Sequence, residues 1–148
     1  MGQIELLDLA YVAGIIDGEG SIMLGKPKGY VTPKVSVCNT YLPLLTNLRV
    51  QFGGNISPVS NIGNPLARKA RYIWSVDGVR ALDFLESVCP LLLEKQDRAL
   101  LVLEFGQKTD YRHKRKLNDE TKRQRLDFLY KLRSLVRGSG ASLEAPLA

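Results

Sequence analysis

The chain has 148 residues, with 21 Lys and Arg against 15 Asp and Glu, a single His, two Cys and 45% hydrophobic residues. That length and apolarity suit one compact core. No apolar run approaches the ~18 residues of a membrane span, and the N-terminus has neither a basic start nor a small-residue cleavage site, so a soluble, intracellular protein without a membrane partner is expected. The lone His113 excludes a His cluster, no Ser-His-Asp set assembles around it from the sequence, and Cys38 and Cys89, far apart in apolar stretches, read as small core residues rather than a disulfide or zinc site. Catalytic chemistry would fall to carboxylates, amides and lysines.

Residues 9–16 are apolar all round behind a cap at Asp8 and predict a short helix buried on more than one side, ended by Gly18 and Gly20. Leu9, Val12 and Ile16 make its bulky face. Ala10, Gly14 and Gly18 recur every four residues, with Ala13 and Asp17 beside them, and leave a flat stripe that another helix can approach closely. Residues 21–24 and 30–38 predict two strands across a Gly-Pro-rich turn. In the second, Val31, Pro33, Val35 and Val37 face the core while Thr32, Lys34, Ser36 and Cys38 face water. Residues 42–52 predict a helix closed by Gly53-Gly54, and 55–61 and 70–76 a second pair of strands. There Tyr72, Trp74 and Val76 alternate with Arg71, Ile73 and Ser75, so that Lys69 and Arg71 lie opposite Trp74. Helices follow at 79–88 and, after Pro90, at 91–105. Asn118 caps a last helix, 119–137, with Leu126, Leu129, Leu132 and Val136 at core spacing. The order α-β-β-α-β-β-α plus helices is an α+β domain with an antiparallel sheet, residues 1–137, and 138–148 read as a flexible tail.

The net charge of +6 is unevenly spread. Residues 1–20 carry only acids, whereas 21–76 carry Lys26, Lys28, Lys34, Arg49, Arg68, Lys69 and Arg71 and no acid. An acid-free stretch of that length points to phosphate binding, hence to nucleic acid. Glu19 is the odd acid. It stands at the negative end of a helix dipole, a placement costing roughly 0.3–1 kcal/mol that a divalent cation would offset. If a second copy packed along the stripe, two Glu19 side chains would converge and could share hard cations such as Mg²⁺. Taken alone, a lone Glu after a turn is more often a solvated acid.

Val12-Ala13-Gly14-Ile15-Ile16-Asp17-Gly18-Glu19-Gly20, followed by Ser21-Ile22, closely resembles the LAGLIDADG motif of homing endonucleases and their maturase relatives, and the element order and basic sheet resemble that family up to about Arg137. The resemblance implies that Glu19 is a metal ligand, a Glu where Asp is commoner, with the Gly18 carbonyl as a second ligand. It implies a catalytic Asn39 near water and metal; that residue reads equally as a helix cap. It implies that Lys95, in a Lys-Gln pair after Pro90, positions the attacking water, the alternative being a surface lysine on a half-exposed helix. It makes the sheet a saddle for the DNA major groove, with Thr32, Lys34, Ser36, Arg68, Lys69 and Arg71 facing DNA and Lys26, Lys28 and Lys34 meeting phosphates. Ile73 on that face either meets a thymine methyl or signals a register off by one. The run Arg112-His113-Lys114-Arg115-Lys116 reads as a nonspecific phosphate contact. One motif implies a homodimer through Ala10, Ala13, Gly14, Asp17 and Gly18, with Asp17 structural, and a long, pseudo-palindromic double-stranded target. The implied activity is Mg²⁺-dependent hydrolysis of both DNA strands, leaving short 3′ overhangs, by an intron-encoded enzyme. The alternatives are an intron RNA maturase, with or without nuclease activity, and a monomeric basic RNA-binding protein whose helix only mimics the motif.

Overall fold

The computed structural model describes residues 6–60, 69–113 and 117–142. Helix α1 (Leu9–Glu19) starts where the Asp8 carboxylate accepts the Ala10 amide at 2.8 Å, satisfying a donor the first turn leaves without a helical partner. It buries Val12, Ala13 and Ile16. The chain then turns directly into β1 (Gly20–Gly25). Only glycine fits at Gly20, because a Cβ there would stand 2.8 Å from Ile16 Cα. Strand β2 (Thr32–Asn39) returns antiparallel through a 3-10 turn at Pro27–Gly29. Helix α2 (Leu42–Phe52) and strands β3 (Asn55–Pro58) and β4 (Tyr72–Asp77) follow, and the four strands form one antiparallel sheet in the order β1-β2-β4-β3. Gly53 and Gly54, at φ 79° and 94°, make the α2–β3 corner, and a Cβ on Gly54 would meet the Ser75 carbonyl oxygen at 2.3 Å.

The remaining elements are α3 (Gly78–Val88), a 3-10 turn at Cys89–Leu91, α4 (Gln96–Lys108) and α5 (Asp119–Ser142). Helices α1, α2 and α3 pack on one face of the sheet, α4 and α5 reach it at β1, and the other face is left open. Trp74 is fully buried, its ring 5.4 Å from Phe84 at 62° and its indole N–H donating to the Gly53 carbonyl at 2.9 Å. A large aromatic with its one polar atom satisfied fixes β4 against α2 and α3.

The strand alternation holds as read. Val31, Pro33, Val35, Val37, Trp74 and Val76 point to the core, and Cys38 stands opposite Ile73 on the open side. Ile73 is therefore on the open face in the expected register. Four expectations need correction. Cys89 is buried, and burial pushes its thiol up, but Cys38 is half-buried on the open face rather than in the core. The helix expected over 91–105 starts only at Gln96, because the Lys95 amide, which a continuous helix would bond to its own carbonyls, is taken by the Asp17 carboxylate. Strand β3 ends at Pro58, short of residue 61, which lies outside the described residues. Finally, α5 keeps its Asn118 cap, whose Oδ1 accepts the Thr121 amide, but runs through Gly138 and Gly140 to Ser142 instead of giving way to a tail at 138. Its core residues are Phe128, Leu129 and Leu132, with Leu126 half-buried and Val136 exposed.

Candidate active site

Glu19 is the last residue of α1, and its side chain is exposed. Because Gly20 pairs with Val37, the end of β2 runs two residues further and brings Asn39 level with the last turn of α1. The Asn39 amide nitrogen donates to Glu19 Oε2 at 2.6 Å, while its Oδ1 accepts the Tyr41 amide at 2.8 Å. An amide has separate donor and acceptor ends, so one side chain shapes the turn into α2 and holds the carboxylate. Asn39 does not cap the helix, as one reading had it: the cap position of α2 is Tyr41, which makes no side-chain capping hydrogen bond.

Lys95 is buried, at 8% exposure, and stands just ahead of α4 rather than on a half-exposed helix. Its ammonium donates to the carbonyls of Ile16 at 3.0 Å and Gly20 at 2.6 Å. These are oxygens at the negative end of α1, so the lysine supplies positive charge where the helix dipole calls for it. Burial pushes its pKa below the ordinary lysine value, with Arg98 acting the same way and Glu94 and Asp17 opposing. Asp17 fixes the approach. Its carboxylate accepts the Leu93 amide at 2.9 Å and the Lys95 amide at 3.0 Å. Part of the charge offset that the sequence seemed to ask of a metal therefore comes from within the chain.

Among the described residues, no group of three or more His, Cys, Asp or Glu side chains gathers at one point. One chain presents the Glu19 carboxylate, oriented by Asn39, and the exposed helix end at Gly18. A hard divalent cation takes about six oxygen ligands, so these oxygens suit such an ion but supply only part of its shell. The outer stripe of α1 fits the same picture in part. Ala10, Gly14 and Gly18 are exposed, and nothing lies within 4 Å of where a Cβ would stand on either glycine. Two of the expected stripe residues point elsewhere. Ala13 is 1% exposed inside the chain's own core, and the Asp17 carboxylate is engaged by its own chain's amides. Sequence reasoning missed Leu93, whose side chain is 89% exposed although its amide is tied to Asp17 at the end of this stripe. The signal was the triplet Leu91-Leu92-Leu93, of which only Leu92 is buried.

The open face of the sheet carries Ser21 and Met23 from β1, Thr32, Lys34, Ser36 and Cys38 from β2, Ile73 and Ser75 from β4 and Asn55 and Ser57 from β3. Lys34 is exposed, Ser36 is half-buried, and the Thr32 hydroxyl donates to the Tyr30 carbonyl at 3.3 Å. Arg71, one residue ahead of β4 and in step with Ile73, buries an Nε that has no hydrogen-bond partner among the described residues. Lys69 and Lys26 are exposed. Lys28 belongs to the 3-10 turn, and Arg68 lies outside the described residues. Asp77 stands opposite Lys34 and brings one acid to this face. Arg112 departs from its expected phosphate role: it is held by Asp83 at 2.7 Å and Glu86 at 3.0 Å on α3, and these carboxylates hold its pKa above the ordinary arginine value. His113 pairs with Asp110, and Lys114, Arg115 and Lys116 lie outside the described residues.

No family model matches the chain, and no curated protein does. Solved structures do. They include I-Vdi141I, an archaeal intron-encoded homing endonuclease complexed with DNA, at 19% identity and TM-score 0.65 over 85% of this chain and 82% of that one. The homing endonuclease I-TnaI aligns at 18% identity and TM-score 0.62 over 91% of this chain and 99% of its own. The LAGLIDADG homing endonuclease I-GzeII, in complex with a DNA target, aligns at 20% and 0.61 over 86% of this chain but 44% of its own length. The chain therefore has the α+β homing-endonuclease fold, at the size of one whole I-TnaI chain and under half of I-GzeII. The LAGLIDADG-like segment Val12–Gly20 forms its first helix and the turn into the sheet.

Proposed function

We propose that this protein is a site-specific, metal-dependent DNA endonuclease, intron-encoded and active as a homodimer. The observation that carries the reading is the Glu19–Asn39 pair at the exposed end of α1, beside a stripe of Ala10, Gly14 and Gly18 that nothing among the described residues covers. A second copy against that stripe brings two oriented carboxylates together, and Glu19 with the Gly18 carbonyl from each copy would hold Mg²⁺. Bound Mg²⁺ supplies a more acidic water and charge stabilisation for the leaving oxygen of a phosphodiester. Asn39 holds the carboxylate in one orientation, and Lys95 holds the helix end that carries it and positions the attacking water. The open sheet face meets a long, pseudo-palindromic duplex, with Lys34 at phosphate and Arg71 at base edges, where the terminal nitrogens of its fork suit guanine. Hydrolysis of both strands then leaves short 3′ overhangs.

The DNA-bound state of I-Vdi141I and I-GzeII supports a duplex as ligand. The test is cleavage of a randomised duplex library with Mg²⁺, sequencing of the cut ends, and parallel reactions with Ca²⁺ and with Glu19→Gln. One enriched, roughly two-fold symmetric site cut by wild type with Mg²⁺ is expected. A purified dimer that cuts nothing would overturn the nuclease reading and make intron RNA the ligand to test next.

A further inference from the structure

At the β1–β2 connection, α5 closes a pocket of about 170 Å³ whose lining includes Lys26, Tyr30 and Val31 from the connection and Lys122, Arg125 and Leu126 from the helix. Three cations from segments some ninety residues apart in sequence thus face one small concavity. None of the acids among the described residues lines it, although Asp119 and Glu120 open the same helix. Lys26 and Lys122 take part in no ion pair among the described residues.

Arg125 is the most telling of the three. Its guanidinium lies 5.1 Å over the Tyr111 ring, one terminal nitrogen reaches the Thr109 carbonyl at a long 3.4 Å, and its Nε is buried with no hydrogen-bond partner. Burial lowers its pKa, and Tyr111 and Asp110 only partly oppose this. The buried Nε is out of reach of an incoming ion, but the terminal nitrogens, one of them only weakly held by Thr109, still lack a full set of acceptors. A tetrahedral oxyanion answers that need, since a guanidinium fork binds two of its oxygens and flanking ammonium groups take the rest of the charge. Val31 and Leu126 give the pocket an apolar floor that limits screening by water.

Position selects among oxyanions. Val31 is followed by Thr32, the first residue of β2 and a member of the open face that also carries Lys34. The pocket therefore stands at the rim of the surface that a duplex would cover. We infer that the Lys26, Lys122 and Arg125 pocket takes a backbone phosphate of the bound nucleic acid, just beyond the stretch lying on the sheet; this rests on the reading of the protein as a DNA-binding nuclease. The contact carries no base information and would add affinity and register.

The test uses the full chain and a pooled duplex of random sequence, bound without divalent metal across a salt series. Wild type is compared with Lys26→Ala/Lys122→Ala and with Lys108→Ala/Lys131→Ala, which removes the same charge away from the pocket. Losing one phosphate contact lowers the slope of log Kd against log salt by about 0.9. That change is expected for the pocket variant, with an unaltered melting temperature, and not for the control. Equal slopes for all three proteins, or equal losses in both variants, would overturn the pocket while leaving DNA binding itself intact. A wild type that does not bind the duplex at all would instead remove the nuclease reading, and the pocket inference with it.

Discussion

The end of α1 and the open face of the sheet are built on opposite principles. At the end of α1 the polar side chains are tied to their own chain: Glu19 to Asn39, Asn39 to Tyr41, Asp17 to Leu93 and Lys95, and Lys95 to Ile16 and Gly20. On the sheet, Lys34 and Lys69 are exposed and outside any ion pair among the described residues. Bond hydrolysis needs groups held within fractions of an ångström, which internal hydrogen bonds provide before the substrate arrives. Reading a duplex needs donors still free to be used, and these are kept by leaving them unpaired. The contrast teaches which substitutions should touch folding and which only binding.

The sharpest break comes from Glu19→Gln. It keeps the shape and an oxygen for Asn39 but loses the charge that would hold a divalent cation, so Mg²⁺-dependent cleavage should fall on the order of 10³-fold. Thermal unfolding should stay near wild type, since the side chain is exposed. Lys95→Met is expected to damage both properties. It strips an ammonium from two carbonyls in a buried position, which should lower stability by about 2–3 kcal/mol in urea unfolding and reduce cleavage as well. Asp17→Ala should lower stability by roughly 1–2 kcal/mol, because it frees two amides at the turn that sets Lys95, with Asp17→Asn recovering part of the loss. Lys34→Ala sits at the other pole. Its stability should lie within about 0.5 kcal/mol of wild type, while the salt slope of DNA binding falls by about 1. A Lys34→Ala protein that unfolds early, or a Glu19→Gln protein that cuts normally, would blur the distinction between the two regions.

Periodicity was enough for the sheet. Alternation in 31–37 and 72–76 assigned the buried and open faces correctly, because a one-residue slip would have put Val35 and Trp74 in water. Helix α2 was readable to its ends from Pro43 and the Gly53-Gly54 pair. What local patterns could not show were contacts made across the chain. Nothing near Pro90 announces that Asp17, more than seventy residues earlier, takes the Leu93 and Lys95 amides and holds off the start of α4. The pairing of Arg112 with Asp83 and Glu86 is hidden for the same reason: a basic run looks alike whether solvated or bound to a neighbouring helix. The motif pointed to Glu19 and the wider resemblance to Asn39 and Lys95, and the fold brings all three to the end of one helix. Their separate parts there, one as an exposed carboxylate, one as its brace and one as a buried cap, follow from hydrogen bonds and not from spacing. Ala13 shows the opposite limit, since a small residue beside a small-residue stripe looks like interface until its burial is known.

The central claim is that the end of α1 is half of a site, completed by a second copy along Ala10, Gly14 and Gly18. Sedimentation velocity of the wild type beside Gly14→Leu tests it most directly, because a Cβ at Gly14 meets nothing within 4 Å among the described residues. The account predicts a wild-type dimer and a folded Gly14→Leu monomer that does not cleave. A wild type that sediments as a monomer on its cleaved DNA, or a Gly14→Leu protein that stays dimeric and fully active, would contradict it.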